Sequence, residues 1–257
     1  MKWYILPATA YFSAIYLFFY LPIVILIIYS FNAAQYSLVW AGFTWHWYQQ
    51  LFADWNLWVA AWHSVVLGVS VSTVATLIGT LAAVSLYRYR FWGRRLQYSL
   101  IFILILSPDI VMGISLLILF SLLSVLLGFW SLLCAQVTLC LPFVAVTVYS
   151  RIVSFDNDIF EAAKDLGATD FTIFRRIILP LLWPAVFSAW LLSFTLSLDD
   201  VIVSYFVAGP QYEILPLRIY SMARLGITPT INALCTVIFS LTLLLVLLSQ
   251  LILRKKP

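Results

Sequence analysis

Six apolar runs of about 20 residues divide this sequence, and they leave few folds open. They lie near residues 11–30, 62–86, 98–122, 131–150, 183–206 and 231–252. Each is long enough to cross a bilayer as a helix, and none alternates polar and apolar residues as a barrel strand does. Only 9% of the residues are charged, against about 25% in a soluble domain. The sequence therefore predicts an all-α integral membrane protein with six transmembrane helices in a single transmembrane domain over residues 1–257.

The sequence lacks the motifs that several classes of function require. The sequence has no Walker A glycine loop, no zinc-ligand spacing and no Gly-x-Ser-x-Gly elbow, so we predict neither an enzyme nor a metal site. Cys134, Cys140 and Cys235 all fall in apolar runs, which favours free buried thiols over a disulfide framework. The net charge of +4 is not gathered on an exposed basic face, so we predict no nucleic-acid partner.

The basic residues indicate the orientation in the membrane. Twelve of the 14 fall on one side of the predicted spans: Lys2, the loops 87–97 and 151–182, and the tail after Leu253. Only Arg218 and Arg224 fall on the other side. Because positively charged loops stay in the cytoplasm, both termini and both of those loops are predicted to be cytoplasmic.

The loop 151–182 is the one long polar segment, and its first half has the signals of a short helix. Asp158 followed by Glu161 is typical of a capping box at a helix start. Gly167 then stands where a glycine commonly follows a helix end. These positions predict a first helix that ends just before Gly167.

The second half of the loop has the signals of another helix. Thr169 is a suitable N-cap. One apolar face follows at helical spacing, formed by Phe171, Phe174, Ile177 and Ile178. Pro180 and Pro184 predict where this helix ends and the fifth span begins. An ordinary amphipathic cytoplasmic loop would show the same signals, so on these grounds alone the loop has no assigned role.

Three carboxylates fall inside predicted spans: Asp109, Asp199 and Asp200. A charge at the bilayer centre costs at least ~2.5–3.5 kcal/mol, and such residues commonly mark a transport pathway. No Lys or Arg within the spans can neutralise them. A cationic substrate would, so we predict that these acids belong to a substrate pathway.

Straight helices would place these acids at two depths. Asp109 would lie about 16 Å above the cytoplasmic start of its span, after a kink at Pro108, and the other two about 24 Å up. Such a separation suits an elongated polycation better than a point ion.

The fifth span carries a polar stripe with helical spacing, formed by Ser193, Ser197, Asp200 and Ser204. Asp199 points about 100° away from it. Periodicity therefore favours Asp200, with Ser193 and Ser197, as lining the pathway. The alternative is that the acids are protonated or bonded to serines and neighbouring helices, and serve packing.

The loop 151–182 resembles the EAA loop of binding-protein-dependent importer permeases. The residues that carry the resemblance are Glu161, Ala162, Ala163, Gly167, Ile177, Leu179 and Pro180, all at the family's spacing. The resemblance implies the six-helix type I ABC importer permease fold. It also implies that this loop is the coupling helix, which docks on the nucleotide-binding subunit and transmits its motion. Phe171 and Phe174 would contribute to that docking.

Further stretches resemble the polyamine branch of the family, the permeases of bacterial spermidine/putrescine importers. LSPDIVM (106–112) and SFTLSLDDVIVSYF (193–206) carry this resemblance. It implies a multi-pass subunit of the bacterial inner membrane that works by alternating access. Its expected partners are a homologous second permease, two copies of an ATPase and a periplasmic polyamine-binding protein. ATP and Mg²⁺ would be bound by the ATPase, and no cofactor by this chain.

Two other classes of function remain open. One is an importer of the same superfamily for an anion, a metal chelate or another cationic or small solute, although acids without intramembrane cations argue against an anion. The other is a secondary carrier or channel with Asp109 and Asp200 as an ion relay, which would have no need of an EAA loop. The sequence does not rank spermidine above putrescine.

Overall fold

The chain folds almost entirely into helices. The computed structural model describes residues 5–35, 39–155, 163, 165–224, 226 and 229–254. Eleven α-helices lie in these residues, with a π turn over Phe174–Ile178 between α7 and α8. They are α1 (Ile5–Tyr29), α2 (His46–Ala53), α3 (Trp55–Arg88), α4 (Arg94–Leu106), α5 (Asp109–Leu122), α6 (Phe129–Val153), α7 (Asp170–Ile173), α8 (Leu179–Asp199), α9 (Ile202–Val207), α10 (Leu215–Arg224) and α11 (Pro229–Arg254).

Four helical segments in the described residues are long and apolar enough to span a membrane. They are Ala10–Tyr29, Trp55–Arg88, Phe129–Val153 and Phe174–Asp199. The pair α4 and α5 makes a fifth if it is counted as one span, and the apolar part of α11, Pro229–Leu244, is shorter. The all-α membrane architecture is therefore confirmed, while the count of six spans stays a prediction.

The span predicted over 98–122 is interrupted, because α4 and α5 meet at a bend of 113°. Ser107 and Pro108 are both extended, with ψ of 132° and 135°. Proline has no N–H to continue the helical ladder, and it disfavours a helical conformation in the residue before it. The kink expected at Pro108 is thus a full break, and Asp109 becomes the first residue of a new helix.

The described contacts group the chain into two compact units. One comprises Met1–Trp58 and Arg218–Pro257, and the other comprises Val59–Leu217. The first contains α1, α2 and α11, and a half-buried ion pair joins Arg218 to Asp54 at 3.7 Å. The assignment of residues 1–257 to a single domain stays a prediction.

The second unit has its core where α3, α6 and α8 pack together. Its most buried side chains include Leu67, Leu132, Val144, Val148 and Leu182. Gly79 of α3 lies so close to Val144 that an added Cβ would come within 2.6 Å of Cγ1. This tight packing fixes α8, which ends at Asp199 directly before Asp200.

The three cysteines are free thiols, as predicted. Cys140 is buried and Cys235 is half-buried, but Cys134 is exposed on α6. The expectation that all three are buried is therefore wrong for Cys134. An apolar run in the sequence predicts that a residue is shielded from water, but it does not distinguish burial in protein from exposure to lipid.

Candidate functional site

All three predicted carboxylates line one cavity of about 420 Å³ in the second unit. Asp109, Asp199 and Asp200 share its wall with apolar side chains. The apolar lining is formed by Leu139, Phe143, Leu196, Val201 and Ile202. The straight helices assumed for the two expected depths are absent, because two helix breaks lie beside the acids. A cavity of this volume can still span a separation of about 8 Å, so acids at two depths stay a prediction.

The second break follows Asp199. There α8 ends, Asp200 is extended with ψ of 111°, and α9 begins at Ile202. The helices that follow the two breaks pack closely, since a Cβ on Gly113 of α5 would lie 2.6 Å from the ring of Phe206 in α9. Glycine at this crossing fixes how α5, and hence Asp109, sits beside the second break.

Asp200 has its hydrogen bonds supplied by its own chain. Its Oδ1 accepts from the backbone N–H of Val203 at 3.1 Å. Its Oδ2 accepts from the backbone N–H of Ser204 at 3.0 Å and from the Ser204 hydroxyl at 2.7 Å. The side chain closes the first turn of α9 and is only 8% exposed. It lies at the cavity wall, but its hydrogen bonds stabilise the break between α8 and α9.

Gln136 on α6 completes this network, and the sequence analysis did not identify it. Its Nε2 donates to the Ser204 hydroxyl at 2.9 Å, and lies 3.5 Å from the Oδ2 of Asp200. Its Oε1 accepts from the Ser197 hydroxyl at 2.6 Å. Gln136 is fully buried. The sequence does contain a signal for this role, because an amide side chain within an apolar span typically forms a hydrogen bond to a neighbouring helix.

The serines of the predicted stripe point into the core. Ser193 and Ser197 are 0% and 3% exposed, and Ser197 bonds to α6 through Gln136. Ser193 accepts, through its backbone carbonyl, a bond from the Cys140 thiol at 3.6 Å. The predicted spacing is right in placing these serines on one side of the helix. That side packs against α6.

Asp109 and Asp199 differ from Asp200 in both exposure and bonding. Both are exposed at the cavity. Within the part of the chain that the structure describes, no side chain or backbone N–H donates a hydrogen bond to either carboxylate. Their oxygens are therefore available to a ligand with N–H donors.

An irregular segment on the far side of α9 is tied to α3. Tyr212 stacks on His63 with ring centroids 4.1 Å apart, and its hydroxyl donates to the His63 carbonyl at 3.1 Å. Burial raises the pKa of Tyr212 above its ordinary value. The backbone N–H of Leu215 donates to the Ser64 hydroxyl at 2.7 Å. These contacts fix where the chain goes after the cavity.

The polar loop contains the predicted turn between two helices. Gly167 has φ of +81°, and the N–H of Ala168 donates to the Ala163 carbonyl at 3.0 Å. This six-to-one bond after a left-handed glycine is the Schellman arrangement at a helix C-terminus. Ala163 is nearly buried, at 9% exposure. Glu161 and Ala162 lie outside the described residues.

The second predicted helix begins as expected but does not end as expected. The Thr169 hydroxyl accepts from the N–H of Thr172 at 3.3 Å, which confirms its capping role. The helix then continues through the π turn and α8 to Asp199, so Pro180 and Pro184 do not separate it from the span. In the π turn the Leu179 N–H reaches back five residues to the Phe174 carbonyl. This wider turn directly before Pro180 accommodates a residue that cannot donate to the usual carbonyl.

Comparison with known proteins identifies the family. The model of the binding-protein-dependent transport system inner membrane component matches residues 75–256. The chain belongs to this family. The matched range of this chain includes the two helix breaks, the Gly167 turn and the continuous helix described above.

Curated members of the family are close to this chain. The spermidine/putrescine transport system permease protein PotC of Escherichia coli strain K12 is 57% identical over 95% of this chain and 92% of its own length. PotC of Haemophilus influenzae is 55% identical over 96% of both chains. The putrescine transport system permease protein PotI of Escherichia coli strain K12 is 42% identical over 86% of this chain and 81% of its own.

Solved structures show the same fold at low sequence identity. A chain of a bacterial ABC transporter involved in import of the acidic polysaccharide alginate matches 99% of this chain and 96% of its own, with a TM-score of 0.68 and 15% identity. A chain of the MetNI methionine ABC transporter matches 82% of this chain and 98% of its own, with a TM-score of 0.61 and 18% identity. The chain therefore has the fold of ABC importer permeases.

The π turn of this family member packs on its own α3. Phe174 and Ile178 line a cavity of about 470 Å³ together with Arg88 and Tyr89 at the end of α3. Phe174 is half-buried and Ile178 is buried, whereas Arg175 and Arg176 are exposed. The side chain of Phe171 lies outside the described ones. Of the predicted coupling residues, Ile177 and Leu179 are half-buried and Pro180 is exposed.

Proposed function

We propose that this chain is the membrane permease of an ATP-driven polyamine importer, and that it passes spermidine or putrescine from periplasm to cytoplasm by alternating access. The observation that carries this proposal is the cavity walled by Asp109, Asp199 and Asp200. Relatives whose names give spermidine/putrescine and putrescine transport support it, at 57% and 42% identity.

The acids take different parts in this proposal. Asp109 and Asp199 receive ammonium groups, because they are exposed at the cavity and have free acceptor capacity. Asp200 maintains the break that presents Asp199. Ion pairs in a partly dry cavity gain strength from reduced dielectric, but desolvation offsets much of that gain. Substrate binding is therefore weak. Transport requires weak binding, because the substrate must also leave the cavity.

Transport requires other subunits that supply energy and deliver substrate. We infer a PotB-like second permease beside this chain, two PotA-like ATPases below it and a PotD-like polyamine-binding protein above it. ATP and Mg²⁺ are bound by the ATPases. The distribution of basic residues supports cytoplasmic termini and a cytoplasmic loop 151–182, which is where an ATPase can reach that loop.

The loop and the cavity are joined by one helix in this proposal. Residues from Glu161 to Phe174 dock on the ATPase, with the turn at Gly167 shaping the docked surface. The helix that follows runs without a break from Asp170 to Asp199. A displacement of the loop therefore reaches the cavity wall directly.

Gly167→Pro should uncouple transport from ATP hydrolysis. Proline is confined near φ −65°, whereas Gly167 has φ of +81°, so the turn cannot form. Gly167→Asn is the matched control, since asparagine tolerates this conformation at a cost of about 1 kcal/mol. The measurement is ATP hydrolysis and uptake in the same vesicles. A Gly167→Pro complex that still hydrolyses ATP in step with uptake would contradict the assignment.

The proposed function is tested by uptake into vesicles that contain the reconstituted complex and internal ATP. Labelled spermidine should accumulate, and an excess of unlabelled spermidine or putrescine should suppress it, while a neutral sugar should not. Omission of ATP should stop accumulation. Uptake that continues without ATP would identify a secondary carrier, and uptake insensitive to polyamines would assign another substrate.

A further inference from the structure

A second cavity lies between the end of α3 and the start of α4, and it differs from the first in charge. Its volume is about 950 Å³. Arg90, Arg94 and Arg95 line it, and no acid does. Aromatic and small side chains complete the lining, among them Phe91, Trp92, Tyr98, Ser99 and Tyr149. We call this the arginine cleft.

The three arginines line one cleft, and their charges are not compensated within the described chain. Among the described residues, no carboxylate forms an ion pair with any of the three. Arg94 and Arg95 also occupy the first turn of α4, where the helix dipole favours acidic residues. A positive-inside bias accounts for basic residues in the loop, but not for their convergence on one cleft. An anion that accepts several N–H bonds, such as a phosphate group, would compensate these charges.

The surroundings of the cleft are those of a membrane interface. Two of its lining residues, Leu86 and Tyr149, pack in a buried apolar cluster with Ile101 and Ala145. Trp92 projects fully into the surroundings, as tryptophans at the headgroup level do. From the cleft, α4 continues with a row of exposed apolar side chains at helical spacing: Leu96, Leu100 and Ile103. A phosphate held by the arginines would thus lie at the head of an apolar surface.

We propose that the arginine cleft binds the phosphate headgroup of an anionic phospholipid from the cytoplasmic leaflet, with the acyl chains lying along α4. Basic pockets between transmembrane helices on the cytoplasmic side suit such headgroups. A free phosphate would use the arginines but would leave the apolar row on α4 without a role. The proposal rests on the orientation given above and not on the identity of the transported substrate.

The test measures lipid binding to the purified complex in detergent by native mass spectrometry. Titration with dioleoylphosphatidylglycerol should give one adduct that survives where dioleoylphosphatidylcholine does not. Replacing all three arginines, as R90Q/R94Q/R95Q, should weaken that adduct by roughly a hundredfold, since each basic residue near an anionic lipid contributes about fivefold. The charge-preserving R90K/R94K/R95K should lose less, because only the bidentate geometry is removed.

Controls separate this site from charge effects elsewhere. R175Q/R176Q removes two exposed arginines outside the cleft and should leave the adduct unchanged. Gln211→Cys, in a background that lacks Cys134, Cys140 and Cys235, should still label from outside when combined with R90Q/R94Q/R95Q, which excludes an inverted topology as the cause. The proposal is overturned by equal binding of the two lipids, by an unchanged adduct in R90Q/R94Q/R95Q, or by displacement of the lipid with millimolar inorganic phosphate. Polyamine uptake is scored separately, so loss of the lipid site and loss of the proposed function give different results.

Discussion

Asp109→Asn and Asp199→Asn, combined in one complex, should reduce polyamine uptake by about a hundredfold at low substrate concentration. Each change removes one ion pair with an ammonium group while keeping the shape of the side chain. We expect about tenfold for each, which is about 1.4 kcal/mol, between the value of an exposed pair and that of a buried one. Initial rates of labelled spermidine uptake into vesicles measure the effect.

The effect should be confined to transport. Both carboxylates are exposed, so their replacement leaves no buried donor unpaired, and the complex should assemble and melt as the unmodified complex does. Asp54→Asn is the matched control, because this half-buried acid lies outside the cavity. Normal uptake in the Asp109→Asn, Asp199→Asn double variant would mean that these acids have no part in the pathway.

Asp200→Ala should instead destabilise the protein, by about 2–4 kcal/mol. The change removes the acceptor for the N–H groups of Val203 and Ser204 and for the Ser204 hydroxyl, all in a buried place. An unpaired buried donor costs about 1–3 kcal/mol, and loss of a helix cap costs about 0.5–2 kcal/mol. The measurement is thermal unfolding of the purified complex, followed by size-exclusion chromatography.

The conservative variant tests the same assignment from the other direction. Asp200→Asn keeps one acceptor oxygen and should lose about half as much stability, with uptake reduced in proportion to the folded complex. If Asp200→Ala unfolded at the normal temperature and yet transported no polyamine, Asp200 would be a substrate ligand and not a support for the helix break.

The sequence identified the acids but not their relation to one another. An acid in an apolar span is visible by composition, so Asp109, Asp199 and Asp200 could be found without a structure. Their shared cavity depends on the breaks at Pro108 and after Asp199. Pro108 predicts the first helix break, but the second helix break has no proline or glycine beside it. It is stabilised by Gln136 from another helix, 64 residues away from Asp200 in the chain. Periodicity assumes an unbroken helix and could not reveal it.

The loop shows the same limit at shorter range. Gly167 and Thr169 were predictable because a left-handed glycine and an N-cap hydroxyl act on their immediate neighbours. Pro180 was misread as a boundary, because its effect depends on the turn before it. A π turn is rare, and no residue type specifies it.

The two helix breaks also bear on the electrical tightness of the membrane. A helix end leaves backbone carbonyls without partners, and at membrane depth these groups are tolerated only in protein or beside water. The breaks at Ser107 and Asp200 therefore need protein or water around them, and the exposed carboxylates of Asp109 and Asp199 lead us to expect a hydrated cavity even without substrate. A hydrated pocket shortens the insulating path across the bilayer, where each elementary charge falls through about 2.3 kcal/mol per 100 mV. Much of the membrane voltage then drops across the part of the protein that separates this pocket from the opposite side of the membrane. A voltage that is negative inside favours inward movement of a cation across that part.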